Sequence, residues 1–226
     1  MQVPLYCCLK QLTLKWENRA LLISSDCVGY IYKAMRRWPE EEVLCGIGFD
    51  LLLALTRDAD AQMLEMLSRG LDHLYRAVHG CHVVVVGLAC GLLERIAAHP
   101  ETALKIVTTD GLNHVYAMME AHIGEENVQK AACDVLKNLS SHGEIGLTLL
   151  PRGLNLLGKV VRKHTNCAAV LESAVTVLLN LTATPQGLLM LREGGRAFSI
   201  LQRAKTAHPG VASLVSCADL AMRALL

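Results

Sequence analysis

Aromatic residues are scarce in this chain: two Phe, two Trp and five Tyr among 226 residues, 4% of the total. A core cannot be built around rings on that supply. It must consist mainly of Leu, Val, Ile and Ala, within an apolar share of 52%, and such side chains pack well between closely spaced helices. Proline is also scarce, at six residues, and the β-branched residues sit inside helical patterns. Both shortages point away from sheets and predict an all-α chain.

Charge of one sign is lacking too. With 22 Lys/Arg against 21 Asp/Glu the net charge is +1, without the concentrated basic field that phosphate recognition needs, so no nucleic-acid partner is expected. Long apolar runs are missing: the most apolar stretch, Val83 to Leu93, has eleven residues, against roughly 20 for a bilayer-spanning helix, so no membrane partner is expected. Residues 1–12 show no basic start followed by an apolar block, as a secretory signal would. The nine cysteines are scattered and form no C-x-x-C; Cys45, Cys90, Cys133 and Cys217 fall within apolar helical faces, where thiols pack as small hydrophobes. Such usage fits a reducing compartment. The expected location is the cytoplasm, with the nucleus as the alternative.

Catalytic signatures are absent as well. There is no G-x-S-x-G elbow, H-E-x-x-H, P-loop or dinucleotide fingerprint. A thiol such as Cys133 has no visible activating group. His79-Gly80-Cys81-His82 looks like a metal cluster but lacks a matching distant pair, and structural zinc wants four convergent ligands. No enzyme activity, cofactor or metal site is expected.

What the chain does have is a period. Gly29, Gly70, Gly111, Gly153 and Gly195 recur at steps of 41, 41, 42 and 42 residues, each opening a similar apolar stretch such as GLDHLYRAV and GLNHVYAMM. A constant interval near 40 residues signals a stack of like units. Within Pro100–His142 the pattern divides into three helices. PETALKIVTTD starts on a proline at the first helical position and is broken by Gly111, a residue tolerant of positive φ. GLNHVYAMMEAH carries Leu112, Val115, Tyr116 and Met119 on one face. EENVQKAACDVLKNLSS follows the Ile123-Gly124 turn with Val128, Ala132, Val135, Leu136 and Leu139 as an apolar stripe.

The same triplet fits units 17–58, 59–99, 100–142, 143–184 and 185–226, the fourth opening on GEIGLTLLPR as its first helix. Residues 1–16 read as a partial unit, because CLKQLT at 8–13 parallels VLKNLS at 135–140. The whole is expected to be one repeat domain with no polar cap at either end. Terminal units of solenoids are usually polar, so the segment is expected to belong to a longer protein, or to self-associate through its ends.

The period, the three helices, the glycine between the first two, and the L-x-N-L endings LKNL (136–139) and LLNL (178–181) resemble the armadillo-repeat family over essentially the whole chain. HEAT repeats, the nearest competitor, lack the short first helix and its glycine break. The resemblance implies a right-handed α-α superhelix, an armadillo-type solenoid, whose third helices line a concave groove. In that family an extended peptide often lies in the groove, held by an Asn ladder. Here the ladder positions are Gln11, Ala54, Arg95, Asn138, Asn180 and Ala224, and only Asn138 and Asn180 keep the amide. Importin-like members add a Trp one turn earlier; Asp134 and Thr176 stand there instead, which argues against nuclear-localisation-signal binding.

An amide offers both donor and acceptor, so Asn138 and Asn180 can each pair with the backbone of one ligand residue; equally, they can bond neighbouring backbone within the helix ends. Lys130 and Asp134, then Glu172 and Thr176, flank them one turn apart. Arg95 sits beside Gly87 and Gly91, which either open bare helix surface or permit tight packing. Cys7-Cys8 reads as half core, half exposed. Charge is uneven: residues 1–150 carry 13 Lys/Arg and 18 Asp/Glu, residues 151–226 nine and three. Lys159, Arg162, Lys163, Arg203 and Lys205 of the second helices would face the convex side, and this basic end could steer an acidic partner. The expected function is a non-enzymatic protein-interaction scaffold binding a peptide or partner domain in its groove. The alternative is a structural spacer or assembly element of a larger kinase, ubiquitin ligase or cytoskeletal protein, using its ends or convex face.

Overall fold

The computed structural model of the protein describes residues 8, 10–56, 61–80, 82–150, 152–193 and 195–226. Among these, helix follows helix and no strand appears. The chain separates into two compact units, Met1–Ile106 and Val107–Leu226. Unit 1 holds α1 (Trp16–Ser24), α2 (Cys27–Arg37), α3 (Glu42–Leu55), α4 (Ala61–Ser68), α5 (Leu71–Gly80) and α6 (Val83–Ala97). After α7 (Pro100–Thr108), unit 2 holds α8 (Gly111–Ala121), α9 (Glu126–Ser140), α10 (Glu144–Leu147), α11 (Arg152–Lys163), α12 (Ala168–Thr182), α13 (Pro185–Arg192), α14 (Arg196–Ala207) and α15 (Ala212–Leu225).

In unit 1, α3 packs on α6 and α2 on α5. Phe49, Leu51, Leu52, Leu92, Leu93 and Ile96 are fully buried there. In unit 2 the long third helices α9, α12 and α15 pack in succession, and so do the second helices α8, α11 and α14. Helix α11 shows why: Leu154, Leu157, Val160 and Val161 are buried while Asn155, Lys159, Arg162 and Lys163 are exposed, a stripe at helical spacing. Helix α13 begins on Pro185, and the Thr184 hydroxyl caps it by accepting from the Gly187 N–H at 3.1 Å. Among the described residues no single helix is long and apolar enough to cross a membrane; α12 and α13 reach that composition only as a pair bent by 117°.

The recurring glycine has more than one physical origin. The sequence predicts positive φ at Gly111, but the left-handed residue lies one position earlier, at Asp110 (φ 62), and in the first unit it is Asp26 (φ 56), three positions before Gly29. Asp tolerates that conformation because its short carboxylate bonds locally. At Gly70 and Gly153 the reason is a close approach. A Cβ on Gly70 would fall within the ring of Tyr32, and one on Gly153 would lie 2.7 Å from the Tyr116 hydroxyl. Both tyrosines reach across from the preceding second helix and donate to carbonyls: Tyr32 to Leu67 at 3.0 Å, Tyr116 to Leu149 at 2.9 Å.

The fourth unit departs from expectation. The sequence predicts a full first helix over GEIGLTLLPR, yet α10 spans four residues, Glu144–Leu147. Gly146 sits against the Ser140 backbone, its would-be Cβ 2.9 Å from that carbonyl oxygen.

The period reappears as side-chain chemistry between units. Ser173 donates to Asp134 across 39 residues, His164 Nε2 to the Ile123 carbonyl across 41, and His208 Nε2 to the Thr165 carbonyl across 43. Arg152 donates to the Asn113 side chain at 2.9 Å, and Arg196 to Asn155 in the next layer. Each layer of unit 2 is therefore clipped to its neighbour by polar bonds at both ends of its second helix.

Candidate partner-binding surface

The third helices of unit 2 enclose a cleft of about 280 Å³. Lys130 and Lys137 reach it from α9, Glu172, Ser173 and Thr176 from α12, and Ser213, Leu214 and Cys217 from α15. Of the residues expected from the sequence, the fold brings Lys130, Glu172 and Thr176 to one opening.

Asp134 lies beneath it, only 5% exposed. It accepts from Lys130, from Lys137 at 2.9 Å and from the Ser173 hydroxyl at 2.7 Å. The helix makes this set: Lys130 and Lys137 stand at i−4 and i+3 of Asp134, on its own face. Burial by itself raises the Asp134 pKa; hydrogen bonds from Lys130, Lys137 and Ser173 and the Lys130 charge outweigh it, so the carboxyl sits below its ordinary value. The result is an ionised hub holding two ammonium groups at the mouth of the cleft.

On α12, Glu172 accepts from Ser213 of the next layer, and the Thr176 hydroxyl donates back to the Glu172 carbonyl at 2.7 Å. Asn180 is committed: its Nδ2 donates to the Lys137 carbonyl at 3.2 Å and the Ser140 hydroxyl at 3.0 Å. Asn138 is half-buried on α9, where its own carbonyl accepts from Ser141. Of the two ladder amides, Asn180 thus ties its layer to the preceding one, a role distinct from both ligand contact and bonding within its own helix end. Arg95 belongs to unit 1, exposed near the C-terminal end of α6. The glycines before it divide the two readings: Gly91 packs on Leu53, whose methyls would lie 3.4 and 3.5 Å from a Cβ there, whereas a Cβ on Gly87 would meet nothing within 4 Å.

The sequence places Cys217 in an apolar helical face and does not single out Lys137, Ser173 or Ser213, although a signal exists for Ser213. Ser213 follows Glu172 by 41 residues, one glycine interval, whereas Ser173 follows Asp134 by 39, so the period by itself leads from Glu172 to Ser213 but overshoots Ser173.

Other candidates resolve differently. Among the described residues no group of three or more His, Cys, Asp or Glu could hold a metal; Cys81 lies outside those residues. Cys8 is exposed, and Cys7 also lies outside them. Gln11 is exposed. Of the basic set, Lys159, Arg162, Lys163 and Arg203 are exposed on α11 and α14, Lys159 standing 3.9 Å from Glu120, while Lys205 pairs with Asp219 at 2.5 Å.

Known structures resemble this chain closely in fold and weakly in sequence. A designed armadillo repeat protein, YIII(Dq)4CqI, aligns over 98% of this chain and 93% of its own with a TM-score of 0.83 and 19% identity. A second designed armadillo repeat protein, YIII(Dq.V1)4CPAF in complex with peptide (KR)4, aligns over 98% and 91% with a TM-score of 0.84 and 18% identity. A computationally designed armadillo repeat protein for modular peptide recognition aligns over 98% and 93%, with a TM-score of 0.82 and 18% identity. The chain therefore has an armadillo-like repeat fold, an all-α solenoid. In sequence it matches no family model and no curated protein.

Proposed function

We propose that the protein is a non-enzymatic protein-binding scaffold whose third-helix face in unit 2 receives a peptide or partner domain. The observation that carries this reading is the cleft between α9, α12 and α15, with Lys130, Lys137, Glu172 and Ser213 set around it over the ionised Asp134. Charges of both signs at one opening suit the alternating donors and acceptors of a polypeptide better than a single ion. The structural neighbours include designs made for peptide recognition, which agrees with a binding role for this kind of surface. The location that fits this reading is the cytoplasm.

A second reading is favoured by a specific observation. The Asn180 amide donates to the preceding layer and the Thr176 hydroxyl to its own helix, as in a spacer whose polar residues serve assembly. In that reading partners meet the exposed basic set Lys159, Arg162, Lys163 and Arg203 on the second helices.

Photo-crosslinking in cells separates the two. A benzophenone amino acid placed at Thr176 reports on the third-helix cleft, and one at Lys163 on the second-helix face. Scaffold binding in the cleft yields a discrete crosslinked partner from position 176, lost when Lys137→Glu reverses the charge beside it. Crosslinks from position 163 alone would transfer the function to the other face.

A further inference from the structure

Two second helices of unit 2 carry charge of one sign. Helix α11 (RGLNLLGKVVRK) has four Lys/Arg, α14 (RAFSILQRAKTA) has three, and neither contains Asp or Glu. The exposed residues of α11 are Arg152, Asn155, Lys159, Arg162 and Lys163, all cationic but one. Carboxylates of neighbouring helices meet only part of this charge. Glu120 of α8 faces both Arg152, at 3.2 Å, and Lys159, at 3.9 Å, and Asp219 of α15 takes Lys205. Arg196 donates to the neutral side chain of Asn155. Among the described residues Arg162, Lys163 and Arg203 have no ion pair.

Local packing gathers these cations at one boundary. Helix α11 packs on α14, and Gly158 leaves room for Arg162 to lie between them. A Cβ at Gly158 would stand 3.6 Å from Arg162 Nη1 and 3.3 Å from Ile200 Cδ1, so the guanidinium group folds back along α11 toward α14. Ile200 precedes Arg203 by one helical turn, and Lys163 follows Arg162 directly. Like charges thus border a seam between two layers with no carboxylate of their own.

The spacing and the surroundings select the occupant. Cations on one helix face stand about 5–6 Å apart and those on packed helices about 8–10 Å apart, too widely for one small anion to touch all three. Carboxylates at alternate positions of an extended chain recur at about 7 Å. No large apolar side chain is exposed on α11 or α14, so this face has nothing to insert at a bilayer surface. Nor does it expose a ring on which a nucleic-acid base could stack. Gln202, exposed beside Arg203 and unpaired among the described residues, offers the donor and acceptor that match a peptide group.

We propose that this face binds an acidic, extended segment of a partner polypeptide, its carboxylates meeting Arg162, Lys163 and Arg203. Such a partner presupposes the second-helix face of the alternative reading above and is independent of the third-helix cleft.

The test is fluorescence anisotropy with the intact protein and three labelled probes: a capped peptide of alternating Glu and Ser, its Gln-Ser counterpart, and an oligothymidylate of equal charge. Phosphatidylserine vesicles are assayed by co-sedimentation. The Glu peptide should bind saturably and more weakly as salt is added, and the Gln peptide should not bind. Arg162→Gln, Lys163→Gln and Arg203→Gln together should weaken binding about tenfold or more at unchanged helical circular dichroism. Lys137→Glu, in the cleft, should change it less than about twofold. No binding of the Glu peptide, equal binding of the Gln peptide, or tighter binding of the oligonucleotide or the vesicles would each overturn the proposal. Release by Lys137→Glu and not by the three second-helix changes would also overturn it, moving the acidic ligand to the cleft. A partner crosslinked from position 163 without any acidic-peptide binding would sink the partner's chemistry alone and leave the second-helix reading standing.

Discussion

The contact between Gly70 and Tyr32 makes a quantitative demand on stability. In Gly70→Ala the new methyl must occupy space held by the Tyr32 ring, and that ring is 6% exposed, tied to the Leu67 carbonyl and stacked on His73. It has no free direction in which to yield. Overpacking of this kind costs about 1–3 kcal/mol, and losing the tyrosine hydrogen bond adds roughly 1 kcal/mol, so the expected penalty is about 2–4 kcal/mol. Gly153→Ala provides a graded comparison. Its methyl would lie 2.7 Å from the Tyr116 hydroxyl but 3.4 Å from Cζ, so mainly the hydroxyl must move and the cost falls to about 1–2 kcal/mol. Urea denaturation with m-values checked for constancy measures both. The decisive comparison is a double-mutant cycle: Tyr32→Leu should abolish most of the Gly70→Ala penalty, and Tyr116→Phe most of that at Gly153. Equal penalties in the presence and absence of the tyrosine would refute the reasoning and assign the glycines to backbone conformation.

Three further outcomes are expected. Asp134→Asn should lower stability by about 1–3 kcal/mol at pH 7 through loss of charged hydrogen bonds. Because the folded carboxyl pKa is depressed, its contribution is fully present above the unfolded value near 4 and disappears as pH falls through the folded value; the gap between variant and parent in urea midpoint should therefore close below about pH 4, and a gap constant with pH would count against the ionised hub. Asn180→Ala should destabilise unit 2 by about 1–2 kcal/mol, since it removes donors to Lys137 and Ser140, seen as faster hydrogen exchange in α9 and α12; a purely ligand-facing amide would leave exchange unchanged. The thiols of Cys90 and Cys133 are fully buried, and burial pushes both pKa values up to about 12, so a disulfide reagent at pH 8 should label exposed Cys8 in the native protein and those two only after unfolding.

The legibility of this fold in its sequence has a physical cause. A helix buries one stripe, so its apolar spacing is local information, and a stack repeats that stripe at a constant interval. Helices α8 and α9 could therefore be placed to within a residue or two of Gly111–Ala121 and Glu126–Ser140. Periodicity misses what a single contact decides: α10 is short because Gly146 must pass close to the Ser140 backbone. The candidate site was partly visible. Lys130, Glu172 and Thr176 were identified by ladder register and do line one cleft, but Asn138 and Asn180, alike in sequence, could not be distinguished without seeing that Ser140 and the Lys137 carbonyl stand within reach of Asn180.

Composition, glycine interval and helical stripes by themselves determined the class: apolar, aromatic-poor segments at a 41–42 residue spacing can bury their faces only by stacking on copies of themselves. Only the tertiary structure decided what each polar residue does, because hydrogen bonding depends on atoms a few ångströms apart that the chain separates by some 40 residues. Asp134 became a buried hub, Thr176 a helix-bonded hydroxyl, and His73 an imidazole held between two guanidinium groups. None of those roles is written in residue type; each follows from which neighbour the next layer presents.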